Sequence, residues 1–323
     1  MTSDTKLPRR RLGASGLECG AIGLGCMGMT WAYTSGPLGD DRSVAVIHRA
    51  LELGMDLIDT ADMYGPFTNE EVVGRALAGR RDEAVLATKV GLVVEDRATY
   101  TLGRDGSPAH VHEGIDASLG RLGTDHVDLY QLHRVDEKVP LEETWGAMAE
   151  VVTAGKARAI GLSEVTVGEL ERAHAIHPVA SVQSELSLWT RDRLDDVVPW
   201  CRAHDVAFIP FAPLGRGYLT GTITAASFGD ADFRARNPRF TREALEANLA
   251  IVDQVRSVAE RRGATPAQVA LAWVLAQDDL VVPIPGTTRL ERVQENAGAA
   301  TLALEPKDLE VLDTVPPAVG ARY

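Results

Sequence analysis

Val127-Asp128-Leu129-Tyr130-Gln131-Leu132-His133 is a short, mostly apolar run between two longer stretches, 110–122 and 141–154, whose apolar residues recur at helical spacing. A strand between two amphipathic helices is one unit of a parallel α/β sheet, because a parallel partner is reached only through a long crossover. Working outward, runs of the same kind occur at 21–25, 55–59, 84–89, 159–163, 179–183, 206–211 and 281–284, and helical patterns occupy 42–53, 69–78, 167–175 and 192–204. Eight strands with eight crossovers fit a closed (β/α)8 barrel, a TIM-type α/β fold, better than an open sheet. Residues 9–19, with the turn Gly13-Ala14-Ser15-Gly16, read as an N-terminal β-hairpin able to plug one barrel mouth. Two helical stretches, 242–262 and 306–315, are surplus to the eight units, and 217–240 reads as a long loop after the seventh strand. No linker or charge block interrupts the series, so residues 1–323 read as a single domain.

Composition narrows the function classes. Of 323 residues 45% are hydrophobic and 24% charged, which excludes collagen-like and wholly disordered readings. The longest apolar stretches, 21–29 and 269–276, fall short of the roughly 18 residues that cross a bilayer, and no apolar segment follows Lys6, Arg9 and Arg10 as in a secretory signal. The 33 basic and 46 acidic side chains give a formal charge of −13, a surface that repels nucleic acid and anionic membranes. A phosphate-bearing ligand then needs a local cluster of donors. Cys19, Cys26 and Cys201 form no C-x-x-C pair, which argues against a disulfide framework or zinc knuckle and for a reducing, cytoplasmic setting.

Gly23-Leu24-Gly25-Cys26-Met27-Gly28 spells G-x-G-x-x-G, but a pyrophosphate turn of the Rossmann type requires a helix opening at the motif. The residues that follow, Thr30-Trp31-Ala32-Tyr33-Thr34-Ser35-Gly36-Pro37, read as a loop, so the glycines read as a close-packed strand end. His110-Val111-His112 has metal-ligand spacing on a strand, but it opens a helix behind Pro108, where the two rings diverge, and no metal is expected.

Polar side chains at the C-terminal ends of barrel strands share one site. Asp59 ends the second strand, Lys89 the third and His133 the fourth, and Tyr64 lies five residues beyond Asp59. A desolvated Lys89 keeps its charge most simply beside Asp59. An ammonium next to Tyr64 favours phenolate and is expected to lower the phenol pKa toward working pH, making Tyr64 a general acid, with His133 orienting a carbonyl oxygen.

The motifs Asp59-Thr60-Ala61-Asp62-Met63-Tyr64-Gly65, Ala87-Thr88-Lys89 and Leu129-Tyr130-Gln131-Leu132-His133 resemble those of the aldo-keto reductase superfamily. So do Gly161-Leu162-Ser163, Pro213-Leu214-Gly215-Arg216-Gly217 and Pro283-Ile284-Pro285-Gly286-Thr287-Thr288 running on to Glu295-Asn296. The Gly25-Cys26-Met27-Gly28-Met29 start is closest to a bacterial and plant branch. The resemblance covers nearly the whole chain and implies reversible carbonyl reduction: hydride passes from NADPH to the carbonyl carbon, Tyr64 protonates the oxygen, Lys89 and Asp59 tune the phenol, and His133 positions the carbonyl.

It also implies cofactor contacts. Ser163 and Gln183 would bond the nicotinamide carboxamide, with Cys26 and Met27 at that end of the site, and Phe211 would lie against the ring, where many relatives have tyrosine. Glu164 stands where many relatives have asparagine. Pro213, Leu214, Gly215 and Gly217 would let the main chain approach the pyrophosphate. Gly286, Thr287 and Thr288 precede a helix whose free amides suit an anion, and Arg292, one turn on, would hold the ribose 2′-phosphate, favouring NADPH over NADH. Glu295 and Asn296 would meet the adenine. Trp31 and Tyr33, with Tyr64 and His133, would line a pocket for a bulky or aromatic carbonyl compound; Trp189 is another loop aromatic, and Arg234, Arg236 and Arg239 would close over the pyrophosphate. Two other readings remain open on the sequence: a Schiff-base lyase using Lys89, and a cofactor-binding regulatory subunit with little turnover. The oligomeric state is not legible.

Overall fold

The computed structural model describes residues 6–31, 33, 40–96, 101–223, 228 and 232–322. Met1–Thr5 and most of the loop after Trp31 therefore lie outside the described residues, as does part of the long seventh loop. Two antiparallel strands, β1 (Arg9–Arg11) and β2 (Glu18–Gly20), form the expected hairpin. The central sheet contains β3 (Leu24–Gly25), β4 (Leu57–Asp59) and β5 (Val85–Val90), then β8 (Val127–Leu132), β9 (Ala157–Ser163), β10 (Ser181–Glu185) and β11 (Ala207–Phe211), all parallel. Strand order runs β11-β10-β9-β8-β5-β4-β3, so neighbours in the barrel are neighbours in its sequence of crossovers.

The eighth strand departs from the expectation at 281–284. Pro283 and Pro285 have no N–H to give a ladder, and the segment closes the barrel through isolated parallel bridges, Phe208 with Val281 and Gly25 with Gly286. Main-chain bonds from Val282 to Phe208, from Ile284 to Pro210 and from Gly23 to Pro283 join the two open edges. A second hairpin, β6 (Leu92–Asp96) with β7 (Thr101–Arg104), extends beyond β5 and has no counterpart in the sequence reading.

The helices α1 (Asp40–Leu53), α2 (Thr68–Leu77), α3 (Pro108–Leu122), α4 (Leu141–Thr153), α5 (Val167–His174) and α6 (Val197–Ala203) carry the crossovers. Their ends follow local chemistry. Ser107 caps α3 through the His110 amide ahead of Pro108, Gly123 ends it at φ 65°, and Thr166 with Glu169 forms a capping box on α5. The stretch 192–204 is helical only from Val197, because Asp196 caps a fresh start after a short turn. The surplus stretch 242–262 divides at Asn248 into α7 (Arg242–Ala247) and α8 (Leu249–Arg262). Three further helices, α9 (Pro266–Leu275), α10 (Leu290–Gly298) and α11 (Pro306–Asp313), complete the chain order. No described helix is long and apolar enough to cross a membrane.

Side chains alternate between lumen and helix layer along each strand. Leu57, Val85, Ala87, Leu129, Ala159, Ala207, Ile209, Val282 and Ile284 fill the lumen, and Leu12, Leu17 and Cys19 of the hairpin pack beneath them as a plug. Ile58, Leu86, Val90, Tyr130, Ile160, Leu162 and Val182 face the helices. The same alternation carries Asp59, Lys89, Gln131, Ser163, Gln183 and Phe211 to the lumen side at the C-terminal end, directly above the apolar fill.

Candidate active site

Register brings the strand-end groups into one layer: Lys89 lies opposite Gln131, and Gln183 opposite Ser163. Lys89 has no exposed surface. Its Nζ donates to Asp59 Oδ1 at 2.6 Å and to the Thr60 carbonyl at 2.7 Å, and lies 3.4 Å from Tyr64 Oη. Burial alone would drive Lys89 toward the neutral amine, but Asp59 and Tyr64 outweigh it and hold the ammonium above its ordinary range. The second oxygen of Asp59 accepts from Gln183 Nε2 at 2.8 Å, with Gln131 Nε2 at 3.5 Å. His133 follows β8, its amide bonded to the Val90 carbonyl, and its ring meets Tyr64 edge-on at 5.8 Å between centroids. Burial, with Lys89 and Arg134 adding repulsion, puts its pKa well below the usual histidine value, so the ring is neutral. Its Nδ1 is buried with no hydrogen-bond partner among the described residues.

Tyr64 corrects one expectation. Lys89 does pull the phenol pKa down, but burial outweighs that pull and the net shift is upward. Apolar neighbours produce the burial: Ala61, Met63 and Tyr64 form a cluster with Met27, Trp31, Leu92 and Val94, and the Trp31 ring lies 6.0 Å from that of Tyr64.

A family model, the aldo/keto reductase family, matches residues 21–316. This chain belongs to that family. It is 42% identical over 317 residues, 97% of its length and 91% of the relative's, to probable aldo-keto reductase 1 of Glycine max. Among solved structures it is similar to the glycerol dehydrogenase AKR11B4 from Gluconobacter oxydans (31% identity, 98% of this chain and 95% of that one, TM-score 0.87). It is also similar to an aldo/keto reductase from Klebsiella pneumoniae in complex with NADP and acetate (28% identity, 98% and 97% coverage, TM-score 0.75).

Several of the remaining expected residues of this aldo/keto reductase have partners the sequence does not disclose. Ser163 is buried and accepts from Arg134 at 3.1 Å. Gln183 directs its amide nitrogen to Asp59. Glu164, at φ 56°, accepts from the Glu185 amide at 3.0 Å and pairs with Arg322. Phe211 ends β11 half-buried, with the Arg322 guanidinium 6.0 Å from its ring centre. Pro213 is buried and Leu214 half-buried, ahead of three successive left-handed residues, Gly215, Arg216 and Gly217 at φ 56°, 56° and 96°. At Gly215 a Cβ would meet Trp189 at 2.6 Å.

Gly286 is exposed, and Thr287 and Thr288 lead into α10, where Arg292 pairs with Glu295 and Asn296 is buried. Arg42, unread in the sequence, donates to the Thr288 carbonyl at 2.8 Å. Cys26 is fully buried, its thiol pKa pushed up by burial, as a packing residue requires.

The loop aromatics and arginines have protein partners that the sequence does not disclose. Trp189 is buried against Tyr218 and Phe240. Arg234 is held by Asp232 and by the Arg216 carbonyl, and Arg239 by Thr190 and Glu185, so both have protein partners. Tyr33 packs on Phe233, tying the first loop to the seventh. The wide cleft of about 770 Å³ at the hairpin end is remote from these groups; there Arg10 is committed to the carbonyls of Leu275, Asp278 and Val281.

Asp62 is buried two residues before Tyr64, where desolvation and the nearby Glu70 push its carboxyl up to about 8. The unfolded chain ionises this group near 3.8, so between about pH 4 and 8 ionisation favours the unfolded state, by up to ~1.4 kcal/mol per pH unit. The penalty is absent below that window and complete above it. Asp62→Asn keeps the acceptor for the Met63 amide. It is expected to raise the thermal midpoint at pH 8 and leave it unchanged at pH 4; equal gains at both would contradict the assignment.

Proposed function

We propose that this chain catalyses the reversible reduction of aldehydes and ketones to alcohols with NADPH. The observation that carries the reading is the buried Lys89 ammonium held between Asp59 and the Tyr64 hydroxyl, with neutral His133 against the same phenol. Bound NADPH would supply hydride to the carbonyl carbon. Tyr64 donates its proton to the carbonyl oxygen, and Lys89, 3.4 Å away, stabilises the phenolate left behind. Asp59 keeps Lys89 charged, and Gln183 and Gln131 hold Asp59. A neutral His133 keeps an N–H to offer the carbonyl oxygen without carrying a competing acidic proton. Since burial raises the Tyr64 pKa, the proton is present throughout neutral pH. Reduction should stay level across the ordinary histidine range and fall only above the ordinary phenol value of ~10, while alcohol oxidation rises there. A reduction break near pH 6.5 would contradict a neutral His133.

The donor set fits a dinucleotide phosphate. Ser163 and Gln183 offer side chains at the nicotinamide end beside Phe211, and Gly215 and Gly217 leave main chain uncovered by Cβ atoms. Thr287, Thr288, Arg292 and Arg42 gather at the start of α10. The Klebsiella pneumoniae relative bound to NADP supports the same cofactor. Met27, Trp31, Leu92 and Val94 around Tyr64 give the mouth an apolar wall suited to a bulky or aromatic carbonyl.

Arg292 would exchange its pairing with Glu295 for the 2′-phosphate. Arg292→Ala should weaken NADPH binding roughly 10- to 100-fold and leave NADH unchanged. Equal loss for both cofactors, read by fluorescence titration, would remove this role. Schiff-base chemistry fits less well, because Asp59 holds Lys89 protonated and without a free lone pair. A rate screen of aldehydes, quinones, sugars and pyridoxal with each cofactor tests the activity; binding of NADPH without turnover of any carbonyl would favour a regulatory subunit.

A further inference from the structure

Asn69, the second residue of α2, has no exposed surface, and its amide bonds to three residues in two separate segments. Its Nδ2 donates to the Cys26 carbonyl at 3.0 Å and to Thr30 Oγ1 at 2.8 Å, and its Oδ1 accepts from Thr60 Oγ1 at 2.7 Å. Its main-chain N–H donates to the Tyr64 carbonyl at 3.2 Å. Each partner is one step from a reacting group. Thr60 follows Asp59, and its carbonyl accepts from Lys89. The Cys26 amide donates to the Asp59 carbonyl at 2.9 Å. Thr30 abuts Gly65, the residue after Tyr64, so closely that a Cβ at Gly65 would come within 2.8 Å of its hydroxyl.

We infer that Asn69 is a positioning residue that fixes the Tyr64 hydroxyl relative to Lys89 and the bound carbonyl, by joining the loop after β4 to the turn after β3. A buried asparagine that only stabilised the fold would need bonds to any neighbours. This one bonds to both sides of the Asp59–Tyr64 segment and to the turn facing it. The inference rests on Tyr64 being the proton donor. Misplacement of a reacting group by about 1 Å costs on the order of 100-fold in rate. Asn69→Asp keeps size and the acceptor for Thr60, but sets a carboxylate oxygen against the Cys26 carbonyl.

The test compares Asn69→Asp and Thr60→Val with Tyr64→Phe and with Tyr130→Phe, which removes a buried hydroxyl bond to the Val111 carbonyl on the helix side of β8. The readouts are kcat, the isotope effect with deuterated NADPH, NADPH affinity, thermal midpoint, and the pH of Tyr64 ionisation taken as the absorbance difference from the matching Tyr64→Phe protein. Asn69→Asp should lower kcat roughly 10- to 100-fold, raise the isotope effect and shift Tyr64 ionisation, with NADPH affinity retained. Thr60→Val should do the same more weakly, and carries the test if Asn69→Asp does not fold. Tyr130→Phe should lower the thermal midpoint alone. If the Asn69 and Thr60 variants behave like Tyr130→Phe, the positioning role is overturned and the donor reading stands. If Tyr64→Phe turns over at the full rate, the donor reading fails, and this inference with it.

Discussion

Tyr64→Phe should lower carbonyl reduction by roughly 10²- to 10⁴-fold, the usual scale for removing a positioned general acid, while NADPH still binds. The substitution removes one oxygen and leaves the ring in its packing against Trp31 and His133, so the fold should be kept. The loss should fall on kcat, because the proton moves in the transition state and the hydroxyl contributes little to holding the ground-state carbonyl. Steady-state rates with a bulky aldehyde, beside a fluorescence titration of NADPH, separate the two. A loss confined to KM would recast Tyr64 as a binding residue.

Lys89→Met should be more damaging to the molecule as a whole. It leaves the Asp59 carboxylate buried with only amide donors, and breaking a buried ion pair from one side costs about 3–5 kcal/mol. Chemical denaturation should register that loss, and turnover should collapse because the phenolate formed at Tyr64 loses its cation. Adding Asp59→Asn removes the stranded charge and should recover much of the stability but none of the activity. Recovery of turnover in the double variant would show that Lys89 serves only the fold.

The barrel was legible where burial imposes alternation. Val85, Ala87 and Lys89 share one face of β5, and that spacing alone brings an ammonium to the lumen. It was less legible where local chemistry interrupts a pattern. The apolar run at 281–284 looks like a strand, yet Pro283 within it and Pro285 just after it limit it to bridges. In the β6–β7 hairpin only Leu92 and Val94 pack inward, against the Tyr64 cluster, and the rest is largely exposed, so the alternation is too short to reveal it.

The site divides similarly. Asp59, Lys89 and His133 are strand ends, readable from position. The direction of the Tyr64 shift depends on how completely Trp31, Met27 and Leu92 enclose the ring, which is a tertiary fact. Glu164 finds its cation in Arg322, 158 residues away, and Asn69 finds two of its partners, Cys26 and Thr30, in one turn close to 40 residues distant; no spacing rule encodes either.

Single-turnover mixing of NADPH-loaded protein with an aromatic aldehyde is the most direct test, following nicotinamide absorbance in the native chain and in Tyr64→Phe. The account predicts rapid NADPH oxidation with matching alcohol in the native chain, and slowing by at least ~100-fold in the variant. Equal decay in both proteins, or none in the native chain although NADPH is bound, would contradict it.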